Sequence, residues 1–208
     1  MEKERCDWAT GSERLLTYHD KQWGVPEHDE RQLFKMLTLE IFQAGLAWDT
    51  VLRFEAGITA AFHDFQLEEI SQFSTTEREM LYLDKRLIRN HAKIDATIEN
   101  AKVLVQLHQS GESLDHLVWS TFSEAPIDLH GTMTDPKEIK QFTKAICQQM
   151  KGLGFMRVGP TTCYSFLQSI GVVNDHNLSC FRYAELVDKK AEPVTAQLFA
   201  LYIKLQVS

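Results

Sequence analysis

Apolar residues recur at steps of three and four along most of this chain, the spacing of helices that each bury one face. The pattern predicts helices over residues 30–46, 88–109, 112–122, 139–150 and 161–171, and no stretch alternates in the manner of a half-buried strand. Asp29, Asp135 and Thr161 stand where helices should begin, and Pro160 suits a first helical turn. Breaks fall at Gly111, at Pro126 with Gly131, and across residues 152–160, and the loop 123–135 is placed to join two helical lobes. After Pro193, a further stripe of Val194, Leu198, Leu201 and Leu205, broadened by Phe199, Tyr202 and Ile203, predicts a terminal helix that packs on the body, with a dimer contact as the alternative. The fold class expected is all-α: one unit over residues 1–182, followed by a helical extension over 183–208.

Composition narrows this little. The 208 residues, 44% hydrophobic and 25% charged, are those of an ordinary globule large enough for a sizeable core, without repeats or low-complexity stretches. No apolar run is long enough to span a bilayer and the charged start leads into no signal-like segment, so the expectation is a cytoplasmic protein with no membrane partner. A net charge of -7 argues against indiscriminate nucleic-acid binding but permits a local basic face.

Chemistry concentrates in three places. Cys6 with His19 near the start, and His176 with Cys180 near the end, make up the Cys₂His₂ set that tetrahedral Zn²⁺ prefers. A structural zinc so held would clip the two ends of the chain together. Reduced thiols are expected in this setting, and Cys147 and Cys163, flanked by apolar neighbours at helical spacing, read as small buried hydrophobes.

Glu40 is the second place. On a helical wheel Leu33, Met36, Leu37 and Ala44 lie within about 60° of it, while Arg31, Lys35 and Thr38 lie opposite, so a carboxylate sits in the apolar stripe. It must meet an Arg or Lys in a structural ion pair, or line a wet pocket. Gln43-Ala44-Gly45-Leu46-Ala47-Trp48 follows with small residues and a glycine that allow close backbone approach. Trp8, Tyr18, Trp23 and Trp48 all fall in the first fifty residues. Grouped around one carboxylate they would form a slot for a flat, electron-poor ring, although each taken alone reads better as a core residue than as a binding platform.

The third is the glycine-rich stretch 152–162. Residues 154–161 superficially spell a phosphate-binding loop, but Pro160 stands where the lysine belongs, so no nucleotide cofactor is expected. A helix, a glycine hairpin and Pro160 opening a second helix would instead aim free amides at one phosphate, with Gly159, Thr161, Thr162 and Arg157 against a DNA backbone. A plain helix connection is the alternative.

Taken in order, Cys6-Asp7-Trp8, Tyr18-His19-Asp20, Trp23-Gly24-Val25-Pro26, Glu40 with Gln43 to Trp48, Ile88-Arg89-Asn90, and the residues from Gly154-Phe155 through Tyr164-Ser165-Phe166 to Val173-Asn174-Asp175-His176 resemble the type I DNA-3-methyladenine glycosylases. The resemblance implies a helix-hairpin-helix fold with a zinc clasp on Cys6, His19, His176 and Cys180. It implies a base pocket of Trp8, Tyr18, Glu40 and Trp48, with Glu40 and Tyr18 reading the base edge. Leu46, at the tip after Gly45, would fill the gap left in the base stack. The implied reaction is hydrolysis of the bond joining 3-methyladenine to deoxyribose in double-stranded alkylated DNA by a monomer. No hairpin lysine is present to attack the sugar, so the strand should stay intact. Phe54 and Glu55 after Arg53, Gly152 and Leu153 after Lys151, and Met156 before Arg157 stand where such enzymes carry basic residues, and Ala47 stands in place of a serine. Fewer phosphate contacts follow, and the alternative reading is a lesion-binding paralogue without catalysis or with an altered substrate. A zinc hydrolase is weaker still, because four protein ligands leave no open position.

Overall fold

Ser12, Asp29, Ser74, Asn90, Ser113 and Asp135 each accept a hydrogen bond from a backbone amide at a helix start, and these caps punctuate the chain. The computed structural model describes residues 3–122 and 126–187. Its helices are α1 (Glu13–Lys21), α2 (Glu30–Gln43), α3 (Trp48–Ala61), α4 (Leu67–Ser71), α5 (Thr75–Leu83), α6 (His91–Gln109), α7 (Leu114–Thr121), α8 (Pro136–Phe142), α9 (Lys144–Gly152), α10 (Pro160–Ser169) and α11 (Phe181–Leu186). No helix among the described residues is long and apolar enough to cross a membrane.

Helix α2 is the axis. Every residue from Leu33 to Phe42 except Lys35 is buried, and α3, α6, α7 and α10 all pack against it. A helix apolar nearly all round belongs at the centre, and each fully buried Leu or Phe on it contributes roughly 1.5–3 kcal/mol. Thr38 corrects the sequence reading: expected opposite the apolar face, it is fully buried because the partner elements enclose α2 on both sides.

Two other expectations also change. The single helix predicted over 139–150 is two, α8 and α9, broken at the buried Thr143, whose hydroxyl donates to the Ile139 carbonyl at 2.8 Å. The helix predicted from residue 88 starts at His91, because the Asn90 side chain takes the Lys93 amide. A parallel pair not anticipated, β1 (Ile127–Asp128) on β2 (Val173–Asn174), ties the segment before α8 to the segment after α10. Helices α1, α3, α4 and α5 were not anticipated either. The stripe after Pro193 lies outside the described residues, and α11 runs across the expected boundary at 182.

Closure of the chain ends depends on one glycine. Gly171 has φ +76° and lies against the Val25 and Pro26 backbone, where a Cβ would come within 2.4 Å of the Pro26 nitrogen. That approach lets Gly24 and Glu27 donate their amides to Gln168 and Ile170 at 3.1 and 3.0 Å. The segment after α1 is thereby held beside β2, which leads directly into His176. Cys147 and Cys163 are buried as expected, their sulfurs 2.9 Å apart between α9 and α10.

Candidate active site

The predicted metal ligands converge. Cys6 precedes a 3-10 turn (Asp7–Gly11), His19 comes from the last turn of α1, His176 follows β2, and Cys180 caps α11. All four are buried and their ligand atoms lie within 4.8 Å of one another. Sγ of Cys6 is 3.6 Å from His176 Nδ1, and Sγ of Cys180 is 3.5 Å from the same nitrogen and 3.4 Å from His19 Nε2. A tetrahedral ion with metal–sulfur and metal–nitrogen bonds of about 2.3 and 2.0 Å has sulfur–nitrogen edges of roughly 3.5 Å, so the donor set fits such an ion.

The outer contacts fit it too. The other nitrogen of His19 meets Asp20 at 2.8 Å, and Arg5 holds that carboxylate through two of its nitrogens. His176 turns its Nε2 to the Trp23 carbonyl at 3.2 Å, and the Asn177 amide donates to Cys6 Sγ. Each imidazole is thus oriented with its ligating nitrogen inward. Burial lowers both histidines, His176 to about 4, and pushes the Cys6 thiol up to about 12 with the Cys180 sulfur adding to it. Two imidazoles kept neutral by burial beside two buried sulfurs suit a cation.

Beside this cluster, and sharing Cys6 with it, is a cavity of about 340 Å³. Trp8, Tyr18, Trp23 and Trp48 form its aromatic walls, with Glu40 and Gln43 from the end of α2 and Ser165, Gln168, Asp175 and Asn177 opposite. Tyr18 and Trp48 pack at 5.1 Å and 56°, and Trp8 meets Trp23 edge-on at 4.9 Å. Glu40 makes no hydrogen bond or ion pair with any described residue, which removes the structural ion pair as an account of it. Burial alone pushes its carboxyl up to about 8. The Tyr18 hydroxyl and the Trp48 indole N–H are likewise buried without partners. Tyr18 is raised well above its ordinary value by burial and then by the charge of Glu40. Three polar groups left unsatisfied around one cavity are what a polar, flat ligand would complete.

The sequence reading missed several participants. Asp175 accepts from the Tyr164 hydroxyl at 3.0 Å, the Gln168 amide and the Gly131 amide, fixing a second carboxylate on the cavity wall; its place next to His176 was the available signal. Lys93, only 4% exposed, donates from Nζ to the Phe42 and Ala44 carbonyls, at 2.7 Å each. Asn100 clamps the Met156 backbone through both its amide and its carbonyl groups. Nothing local in the sequence marks either residue.

Two loops lie outside the cavity. Gly45, at φ +82° with open space around it, turns the chain so that Leu46 is exposed. The hairpin between α9 and α10 carries Gly154 at φ +99° and Arg157 at φ +61° and ends at Gly159, whose lack of a side-chain cap leaves the first amides of α10, including those of Thr161 and Thr162, without intrahelical acceptors. Arg157 is near enough to Lys93 for their charges to interact, so hairpin and turn are neighbours.

A family model described as methyladenine glycosylase matches residues 8–183. The DNA-3-methyladenine glycosylase 1 of Escherichia coli K12 is 38% identical over 181 residues, which are 86% of this chain and 97% of that protein. A crystal structure of a 3-methyladenine DNA glycosylase I superimposes with a TM-score of 0.78 at 38% identity, covering 86% of this chain and 98% of the other. A variant of a 3-methyladenine DNA glycosylase I in complex with 3-methyladenine superimposes with a TM-score of 0.74 at 28% identity, covering 85% and 96%.

Proposed function

The chain belongs to the methyladenine glycosylase family, and from that premise we propose that it excises 3-methyladenine from alkylated DNA by hydrolysing the N-glycosidic bond. The observation that carries the reading is Glu40, a carboxylate buried without a partner in an aromatic cavity. Methylation at N3 leaves the nucleoside's base cationic, which already weakens its bond to the sugar, so recognition is the larger task. A flipped base stacks against Trp48 with Trp8 nearby and presents its edge to Glu40 and Tyr18. Neutral adenine offers Glu40 no charge. The lesion does, and its cation draws the carboxyl from the protonated form favoured in the empty cavity to the ionised one. The unpaired hydroxyl of Tyr18 gains a partner only when a polar ring enters.

Leu46 is the wedge that fills the vacated stack, and the amides at the start of α10, with Gly159, Thr161, Thr162 and Arg157, take the DNA backbone in a helix-hairpin-helix grip. Leu153 and Met156, both exposed on the hairpin, supply no charge, so the salt dependence of binding is shallow for such a grip. Zinc is the ion assigned to Cys6, His19, His176 and Cys180. It supplies fold stability, and by holding His19 and Cys6 it fixes their neighbours Tyr18 and Trp8. The protein acts as a cytoplasmic monomer on double-stranded DNA and leaves an abasic site in an intact strand.

The test is release of free base from a duplex carrying N3-methylated purines, followed by chromatography. Wild type is expected to release 3-methyladenine, and Trp48→Ala and Glu40→Gln to release it more slowly by on the order of 10²-fold or more. Tight lesion binding with no release would overturn catalysis in favour of a binding paralogue. Equal release by both variants would overturn the pocket assignment.

A further inference from the structure

One face of α6 carries a buried polar stripe, Lys93, Thr97 and Asn100, in a helix otherwise packed through apolar residues. Thr97 only bonds back to the Lys93 carbonyl. Lys93 and Asn100 reach outward to the two loops beside the cavity. The Lys93 ammonium holds Phe42 O, in the last turn of α2, and Ala44 O, just past its end, carbonyls without helical partners where the chain turns into Gly45 and Leu46. Glu40 and Gln43 lie just before this anchor, and Trp48 opens α3 just after it. The turn that separates the cavity wall from Leu46 is closed by the Leu46 amide donating to the Gln43 carbonyl at 2.7 Å, and the Lys93 ammonium is the charged group that anchors it to α6.

We propose that Lys93 is a positioning residue for duplex recognition, fixing the turn 44–47 so that Leu46 enters the base stack, while Glu40 and Trp48 are held toward the flipped base by the packing of α2 and α3. The proposal rests on the function assigned above. Insertion matters only where a stack must be filled, so loss of the anchor penalises duplex substrate selectively. Binding of free 3-methyladenine and excision from single strands need the cavity but no wedge.

Lys93→Met keeps the aliphatic stem and removes the ammonium; Lys93→Gln keeps one donor and serves if the first variant does not fold. Zinc-loaded protein is assayed on methylated duplex, on methylated single strands, and for binding of free 3-methyladenine by tryptophan fluorescence. The expected result is a loss on the order of 10²-fold on duplex, with single-strand excision and free-base binding changed less than about threefold. In a cycle with Leu46→Ala, the double variant should be no slower on duplex than the slower single variant, since both act through one turn. Equal losses on all three readouts, or effects on duplex that multiply in the cycle, would overturn the role of Lys93. Absence of release by wild type would instead overturn the assigned function, a separate result.

Discussion

The Cys₂His₂ cluster and the cavity share Cys6 and a wall of aromatic rings, yet they differ in how their polar atoms are treated. Around the cluster the ligands' outer contacts are made: His19 with Asp20, Asp20 with Arg5, His176 with the Trp23 carbonyl, Cys6 with the Asn177 amide, although Arg182 Nε, whose charge reaches both histidines, is buried without a partner among the described residues. In the cavity the Tyr18 hydroxyl and the Trp48 N–H have no partner among the described residues, and Glu40 makes no hydrogen bond or ion pair with any of them, while the neighbouring Asp175 is held by three donors. A buried polar group without a partner costs about 1–3 kcal/mol, and more if charged, so one region adds stability and its neighbour gives stability up. The difference separates a scaffold from a site more sharply than residue type does, since both regions draw on Cys6, aromatic rings and carboxylates.

The widest test of this contrast is removal of the metal. Chelation should leave two buried thiols and two imidazoles facing one another with nothing between them. Tm is expected to fall by about 10 °C or more and to recover when zinc is returned, as followed by calorimetry. Excision should fall in parallel, because Tyr18 and Trp8 flank His19 and Cys6. An unchanged Tm after verified loss of zinc would show that the cluster is no scaffold.

Glu40→Gln reverses the sign. The Glu40 carboxyl is raised from an ordinary 4.5 to about 8, so between these values the folded state holds a proton that the unfolded state has lost. Stability therefore decreases as pH rises through this window, by roughly 4–5 kcal/mol in all. Glutamine does not titrate. The variant should be the more stable protein at pH 8.5, with little difference from wild type at pH 4.5, while it loses excision. Urea unfolding at the two pH values reads the difference. A variant less stable than wild type at pH 8.5 would mean that Glu40 has a structural partner and that the contrast fails.

The sequence carried parts of both regions to different degrees. The four ligands are legible because sulfur and imidazole pairs at the chain ends have few other uses, and Asp29 and Asp135 mark helix starts by a purely local rule. Glu40 stood out because it breaks the apolar stripe of α2, although that same amphipathic reading misplaced Thr38 in a helix enclosed on both sides. Helix α5 went unread even though Ser74 and Glu77 form a complete capping box, the local mark of a helix start; with Leu81 its one buried residue, it has no apolar stripe to show a period. Lys93 and Asn100 were beyond reach for a physical reason: their partners are backbone atoms 49 to 56 positions away, and only the tertiary fold brings those within hydrogen-bond distance. Asp175 lay in a matched motif, but its three donors come from two other segments.

The finest test compares two single-atom changes placed one turn of reasoning apart, Asp20→Asn and Tyr18→Phe. Asp20 belongs to the satisfied region. Its carboxyl is held below the usual range by the Arg5 hydrogen bonds, with His19 adding, and it is about a quarter exposed. Solvent screens part of the ion pair, so asparagine should cost about 1–2 kcal/mol, through the weakened Arg5 fork and the loosened orientation of His19. Tyr18 belongs to the unsatisfied region, and its hydroxyl gives the folded protein no hydrogen bond to lose. Phenylalanine keeps the ring against Trp48 and removes an oxygen that burial leaves dry, so stability should stay within about 0.5 kcal/mol of wild type or rise by up to about 1 kcal/mol. Excision should nevertheless slow by about tenfold, because the hydroxyl gains its partner when the base arrives. Chemical denaturation alongside the base-release assay reads both. If Tyr18→Phe destabilised the fold as much as Asp20→Asn, the hydroxyl would have a partner in the resting protein, and the unsatisfied character of the cavity would shrink to Glu40 and Trp48.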